Sequence, residues 1–240
     1  HIISSIFYSL ILISFGYKVS FWGHGTVGSG IVKFVRIFLF KKSHRIIVYG
    51  NNAEILSYPE FKHKVKVIGN TMNWEDYKKN SFSQNKKEKI EIIKLFFSGR
   101  INDSKKLIIL LEACKKLKIN YELVVIGEGN DEVFCRTYSE QNNINVKFLG
   151  AIYGDKVKEV MDWADVCIIP GKVGLSLAHA YGNDLPVIIH DDFSMHSPEY
   201  EIHTMNRSFL FEMDNSSDLM NKIQSLKFSK NLINDEVNDL

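Results

Sequence analysis

Cysteine, net charge and long apolar runs are all scarce in this chain, and each shortage narrows what it can be. The three cysteines, Cys114, Cys135 and Cys167, are odd in number, far apart and form no Cys-x-x-Cys pair. That pattern points to reduced, buried thiols in a cytosolic protein rather than to disulfides or a zinc site. A formal net charge of +2 is too small to argue for nucleic acid as a partner, so any basic patch must be local. The apolar opening, residues 2–15, falls short of the roughly 20 residues a membrane span requires. Ser4, Ser5, Ser9 and Ser14 interrupt it and no basic flank precedes it, which fits a buried helix better than a signal peptide. The start at His1 reads as a cut through a larger protein. There is no internal repeat and no low-complexity tract. What is present is ordinary for a soluble globular protein: 45% hydrophobic and 24% charged residues, over a length that allows two modest domains with a core each.

The spacing predicts helix Ile2–Ser14, a turn at Gly16, a strand over 18–22 ending at Gly23-His24-Gly25, and a basic, aromatic helix over 31–42. Short strands follow at 45–49 and 65–68. The lysine- and asparagine-rich stretch 74–88 has few apolar residues and reads as an interdomain linker. From Glu91 the rhythm is regular. Strands at 93–97, 122–126, 145–149, 166–169 and 186–190 alternate with helices, one of which carries Leu107, Leu110, Leu111, Cys114 and Leu117 on a single face. Such alternation implies an α/β fold with a parallel sheet covered on both faces, and ligands in such sheets bind beyond the carboxyl ends of the strands.

The most informative stretch is 164–182. A β-branched run over 166–169 meets Pro170-Gly171, and Gly174 then opens an apolar helical segment that closes at Gly182. The first amides of such a helix lack partners within it and carry partial positive charge, which suits a phosphate. Gly174 lets a ligand approach the backbone closely. Glycines are also what any strand-loop-helix turn needs, so spacing alone leaves the two explanations level.

Four further segments share the order of a known family: Phe97-Ser-Gly-Arg100 with Lys105-Lys106, Leu123-Val-Val-Ile-Gly-Glu-Gly129, Val146-Lys-Phe-Leu-Gly150, and Gly182-Asn-Asp-Leu-Pro-Val-Ile-Ile followed by His190 to Glu199. With 164–182 they resemble the nucleotide-sugar half of a GT-B glycosyltransferase, most like the retaining family-4 group. The resemblance implies two Rossmann-like domains: the C-terminal part of an acceptor domain at 1–72, a linker at 73–90 and a donor domain at 91–240. It implies hexosyl transfer from a nucleotide-diphosphate sugar to a surface-glycan or lipid-linked acceptor, with no cofactor, no metal, and a place in the cytoplasm that can include peripheral contact with the inner membrane surface.

By the same resemblance Arg100 and either Lys105 or Lys106 grip the donor diphosphate, together with Gly174 and Leu175 at the helix start. The chemistry suits them, since a guanidinium engages two phosphate oxygens and an ammonium adds a compact charge. The family's paired glutamates, eight positions apart, are absent: Gly171 and His179 stand in their places. A divergent bacterial surface-polysaccharide branch has a similar Pro-Gly-x-Val-Gly-Leu…His pattern and a later Pro-Glu. That likeness makes His179 a candidate for the ribose or phosphates, and Glu199, with Glu201 as a weaker choice, a substitute acid for the donor hydroxyls. His24, exposed between two glycines at a strand end, takes the catalytic position of a family histidine that reaches the donor sugar. His190-Asp191-Asp192 has metal-binding residue types, but three consecutive side chains rarely converge on one ion. Lys33, Arg36, Lys41 and Lys42 could face lipid headgroups, or simply solvate a core helix.

Three rival readings follow. A non-catalytic GT-B homologue would bind a nucleotide or a partner transferase, and the missing glutamates favour it. A nucleotide-sugar epimerase shares the architecture. A dinucleotide-dependent dehydrogenase fits least, because Gly127-Glu-Gly129 lacks the third glycine of that fingerprint and follows the second strand of its domain rather than the first.

Overall fold

The computed structural model describes residues 2–69, 92–202 and 209–226. The chain divides into two compact units, His1–Thr71 and Met72–Leu240. The expected linker at 73–90 lies outside the described residues.

In the first unit, α1 (Ile2–Ser14) leads to β1 (Ser20–Gly23), α2 (Gly30–Lys42), β2 (Arg45–Val48) and β3 (Val65–Val67). The strands form a parallel sheet in the order β1-β2-β3. Its core gathers Val27, Phe40, Ile46, Val48, Ile55 and Phe61. Helix α2 buries Leu39 and Phe40 while leaving Ile31, Phe34 and Phe38 in solvent. Glu54 accepts the amides of Val27, at 2.7 Å, and Gly28, which fixes the loop entering α2.

The second unit runs β4 (Ile93–Ser98), α3 (Leu107–Lys116), β5 (Tyr121–Ile126), α4 (Glu132–Gln141), β6 (Val146–Phe148), α5 (Asp155–Trp163), β7 (Val166–Ile169), α6 (Leu175–Gly182), β8 (Val187–His190), β9 (Leu210–Phe211) and α7 (Ser216–Leu226). All six strands are parallel, in the order β6-β5-β4-β7-β8-β9. Side chains of successive strand residues point to opposite faces. Leu95 and Phe97 therefore join one core with α3 and α7, while Phe96 joins Met161, Cys167, Ile169, Val173 and Leu177 in the other. Both faces of the sheet are thus covered, as its near-continuous apolar strands require.

The strand order reverses between β4 and β7. At such a switch point the two following loops diverge and leave a crevice beyond the carboxyl ends. The loops there are Gly99 to Lys106 after β4 and Pro170 to Gly174 after β7.

The floor of this edge is built from main chain. The Gly99 amide donates to Ile126 O at 3.0 Å, and the Gly127 amide to Gly150 O at 2.9 Å. Gly127 has φ +135°, and a Cβ there would lie 1.8 Å from Gly99 O. No side chain fits that gap. At Gly129 the same atom would lie 2.1 Å from Ile101 O.

Candidate active site

The β7–α6 loop is held from two sides. On one, the Lys172 amide donates to Ser104 O at 2.8 Å, and Lys105 Nζ donates to Lys172 O. On the other, the Val173 amide donates to His196 Nδ1 at 3.2 Å, and the Ser197 amide to Val173 O at 3.3 Å. Gly174 caps α6 with extended backbone and no side chain to occupy the helix start. The Leu177 amide bonds to Gly174 O, whereas the amides of Leu175 and Ser176 have no acceptor among the described residues. They lie at the positive end of the helix dipole.

Lys105 supplies a second positive group there. Its Nζ lies 3.6 Å from where a Cβ on Gly174 would stand. Burial, and then the Lys172 charge, hold its pKa below the usual lysine value, while the Glu199 carboxylate pulls it back up. A bound anion would act in the same direction as Glu199. Lys106 is placed differently. In a left-handed conformation at φ 51°, it enters α3 and its ammonium takes both carboxylate oxygens of Asp214. Arg100 stands exposed just past β4, and no ion pair engages it among the described residues.

Gly171 does not open onto the crevice. It is buried, and a Cβ there would lie 2.4 Å from Ser104 O and 2.7 Å from Lys105 Cα. The glycine lets the β4–α3 turn sit directly on the β7–α6 loop, which brings Lys105 to Gly174. His179, on the second turn of α6, is half-buried, and desolvation lowers its pKa, favouring the neutral ring. Glu199 lies in the 3-10 turn Pro198–Ile202, only 4% exposed, close enough to Lys105 for the charges to interact. Glu201 is exposed. Beyond β6, a shallow groove lined by Ala151, Ile152, Tyr153, Asp155 and Lys156 opens next to this edge.

His190, Asp191 and Asp192 part ways. His190 is buried and its Nδ1 accepts the Asp192 amide at 3.2 Å. Asp191 accepts the Met213 amide, and Asp192 accepts the amide and hydroxyl of Ser194. Among the described residues no three His, Cys, Asp or Glu side chains are grouped to hold a metal ion.

His24 belongs to the first unit. It is exposed in the loop after β1, with its ring edge-on to Tyr49 at 5.1 Å between centroids. Gly25 beside it packs tightly: a Cβ would lie 2.7 Å from a methyl of Val48. Gly25 fixes the loop, a Cβ on Gly23 would meet open space, and the imidazole stands in solvent.

Two participants escaped the sequence reading, Lys172 and His196. No spacing in the sequence marks His196, because its partners are backbone groups.

Residues 76–235 match the family model described as "Glycosyl transferases group 1". No curated protein matches the chain. Among solved structures, the catalytic domain of a cholesterol-alpha-glucosyltransferase from Helicobacter pylori is similar with a TM-score of 0.56 at 19% identity, over 61% of this chain and 93% of that one. HepE of Anabaena, in complex with UDP, gives a TM-score of 0.74 at 15% identity over 92% of this chain. The lipopolysaccharide outer core galactosyltransferase WaaB gives 0.72 at 14% identity over 96%. The chain spans 65% of the length of each of the last two. At these identities the likeness establishes the fold, α/β of the GT-B type with parallel sheets.

Proposed function

Because the chain belongs to the group 1 glycosyl transferases, we propose that its second unit binds a nucleotide-diphosphate sugar at the β4–β7 crevice. We further assign to the protein the transfer of a hexosyl group to a surface-glycan or lipid-linked acceptor, in the manner of the retaining family-4 enzymes. One observation carries this reading: Lys105 Nζ lies beside Gly174, where α6 presents amides with no acceptor among the described residues. An anion with several oxygens uses both groups at once. The UDP bound to HepE supports the same donor class.

In this reading Lys105 and Arg100 hold the diphosphate together with the Leu175 amide. The geometry favours Lys105 over Lys106, which Asp214 already engages. His179 serves the ribose or phosphates through a ring nitrogen, and Glu199 the donor hydroxyls. The catalytic role toward the sugar is assigned to His24. The bond from the sugar's anomeric carbon to the diphosphate breaks, and the diphosphate oxygen keeps the electron pair. Fixed positive groups that meet this growing charge lower the barrier most. The departing phosphate oxygen takes the proton of the acceptor hydroxyl as the new glycosidic bond forms. No protein carboxylate is needed for that step, and no metal is assigned to it.

A lipid-linked acceptor accords with α2, where exposed Phe34 and Phe38 lie among Lys33, Lys41 and Lys42. Arg36 is less available because it donates to Thr26 O. No helix among the described residues is long and apolar enough to cross a membrane.

A non-catalytic relative is the second reading, favoured by Gly171, where a glutamate has no room. One screen decides between them. The intact protein is tested for binding and hydrolysis of a panel of nucleotide-diphosphate sugars, with free nucleosides as controls. Binding that depends on the diphosphate, with slow hydrolysis, supports the transferase; binding without turnover toward any donor or acceptor supports the relative. Failure to bind any nucleoside diphosphate would sink the transferase and leave only a non-catalytic relative that binds a partner transferase.

A further inference from the structure

The site's front edge depends on a residue that does not reach it. His196 is 4% exposed and sits between two backbone groups. Its Nδ1 accepts the Val173 amide at 3.2 Å, and its Nε2 lies 3.0 Å from His190 O. An imidazole that accepts at Nδ1 and meets a carbonyl at Nε2 must be neutral with its proton on Nε2. The ring thus spans the end of β8 and the loop entering α6, and lies against the His190 ring, tilted by 35° with 4.0 Å between centroids. The next residue completes the link, since Ser197 N donates to Val173 O. Glu199 follows two positions later on the same tether.

We infer that His196 is a positioning residue for the donor site, fixing the Lys172–Val173 peptide through the Val173 amide and, through Ser197 on Val173 O, the Val173–Gly174 peptide at the start of α6 and the placement of Glu199. This rests on the donor-binding reading above. The physical reason lies in the loop itself. Val173 is the last residue before the helix cap, and both its backbone polar groups bond to 196–197. A rotation of the two peptides on either side of Val173 would turn the Gly174 amide, and the Leu175 amide that follows it, off a phosphate that Lys105 holds from the other side. Preorganised donors bind an anion well only while their directions stay fixed. A methyl-sized packing role would not need two opposed hydrogen bonds, and a surface role would not bury the ring.

The test uses the full-length protein and two substitutions. His196→Phe keeps an aromatic ring against His190 but neither hydrogen bond. His196→Gln retains an acceptor and a donor with comparable spacing. Affinity is measured by calorimetry for UDP, GDP and ADP, each against its nucleoside. Phe is expected to weaken the diphosphate that the wild type prefers at least tenfold while changing the nucleoside less than threefold, and Gln to stay within threefold of wild type. Wild-type affinity in His196→Phe, or equal losses in the Phe and Gln proteins, would overturn the inference. Should the Phe variant fail to fold, the 15N-labelled imidazole of wild-type His196 decides. A proton on Nε2 with Nδ1 bare is the expected result, and a protonated Nδ1 would overturn it. A wild type that binds none of the three diphosphates refutes the donor-site reading first, before any variant is made, and this inference with it.

Discussion

Lys105 and Gly174 lie 69 residues apart in sequence, yet the lysine ammonium sits 3.6 Å from where a glycine Cβ would be. The sheet's reversal at β4 and β7 brings them together, because parallel neighbours deliver their following loops to the same edge. Replacing Lys105 with alanine should weaken nucleoside-diphosphate binding by about 1.5–3 kcal/mol, the range for hydrogen bonds to charged groups. Arg100→Ala should act in the same range. Calorimetry against the free nucleoside is the control, and equal losses for nucleoside and diphosphate would indicate misfolding instead.

Restoring the family's missing acid at Gly171 should fail. Even alanine puts a Cβ 2.4 Å from Ser104 O, a backbone atom that cannot step aside. Gly171→Ala is expected to lose about 1–3 kcal/mol of stability, as overpacking does, and Gly171→Glu at least as much, without a gain in turnover. Denaturant melts and a donor hydrolysis assay read both.

Acid should loosen the end of β8. Burial, His196 and Lys106 depress the His190 pKa to about 4, against the partial pull of Asp192 and Asp191. Burial likewise depresses His196, with Lys105 and Lys172 adding and the His190 carbonyl and Asp192 opposing. Depressed histidines bind fewer protons folded than unfolded below the ordinary value of about 6.5. Their contribution is therefore intact above about 6.5 and is lost as pH falls toward about 4. Unfolding free energy measured from pH 7.5 to 4 should decline in that window. His196→Gln should flatten part of the decline; an unchanged slope would remove His196 from the cause.

Turnover, once a donor is found, should survive a chelator. In the proposed reaction the cationic groups and the α6 amides neutralise the leaving diphosphate. Activity abolished by chelation and restored by magnesium or manganese would contradict that assignment.

Alanine at His24 should depress turnover far more than donor binding, since a contact made in the transition state shows in kcat rather than in affinity. Equal effects on both would argue that His24 merely supports its loop beside Tyr49.

Much of the second unit was legible because its signals are local. The short apolar runs became β4, β5, β7 and β8, and the Leu107-Leu110-Leu111-Cys114 face became the buried side of α3. Strand ends moved by one or two residues; the first strand begins at Ser20, where pairing with Arg45 begins, rather than at Lys18. Two late elements were not read. β9 is two residues long, and α7 carries only Leu219, Ile223 and Leu226 as buried apolar anchors among polar residues. At the site, the sequence offered Lys105 and Lys106 as equals, because their difference depends on Asp214, over a hundred residues away. His196 stayed hidden for a similar reason. Its partners are an amide and a carbonyl, and backbone groups carry no sequence signature.

At Gly127 and Gly129 the loops meet backbone to backbone, with gaps too small for a methyl group. The contour of that ledge is therefore recorded in the main chain and owes little to any particular side chain. Two such proteins can drift apart at nearly every strand and helix surface and still offer a ligand the same shelf, provided these few positions stay bare. Engineering should respect the same boundary: the ledge tolerates no thickening, and new selectivity belongs on the side chains that overhang it.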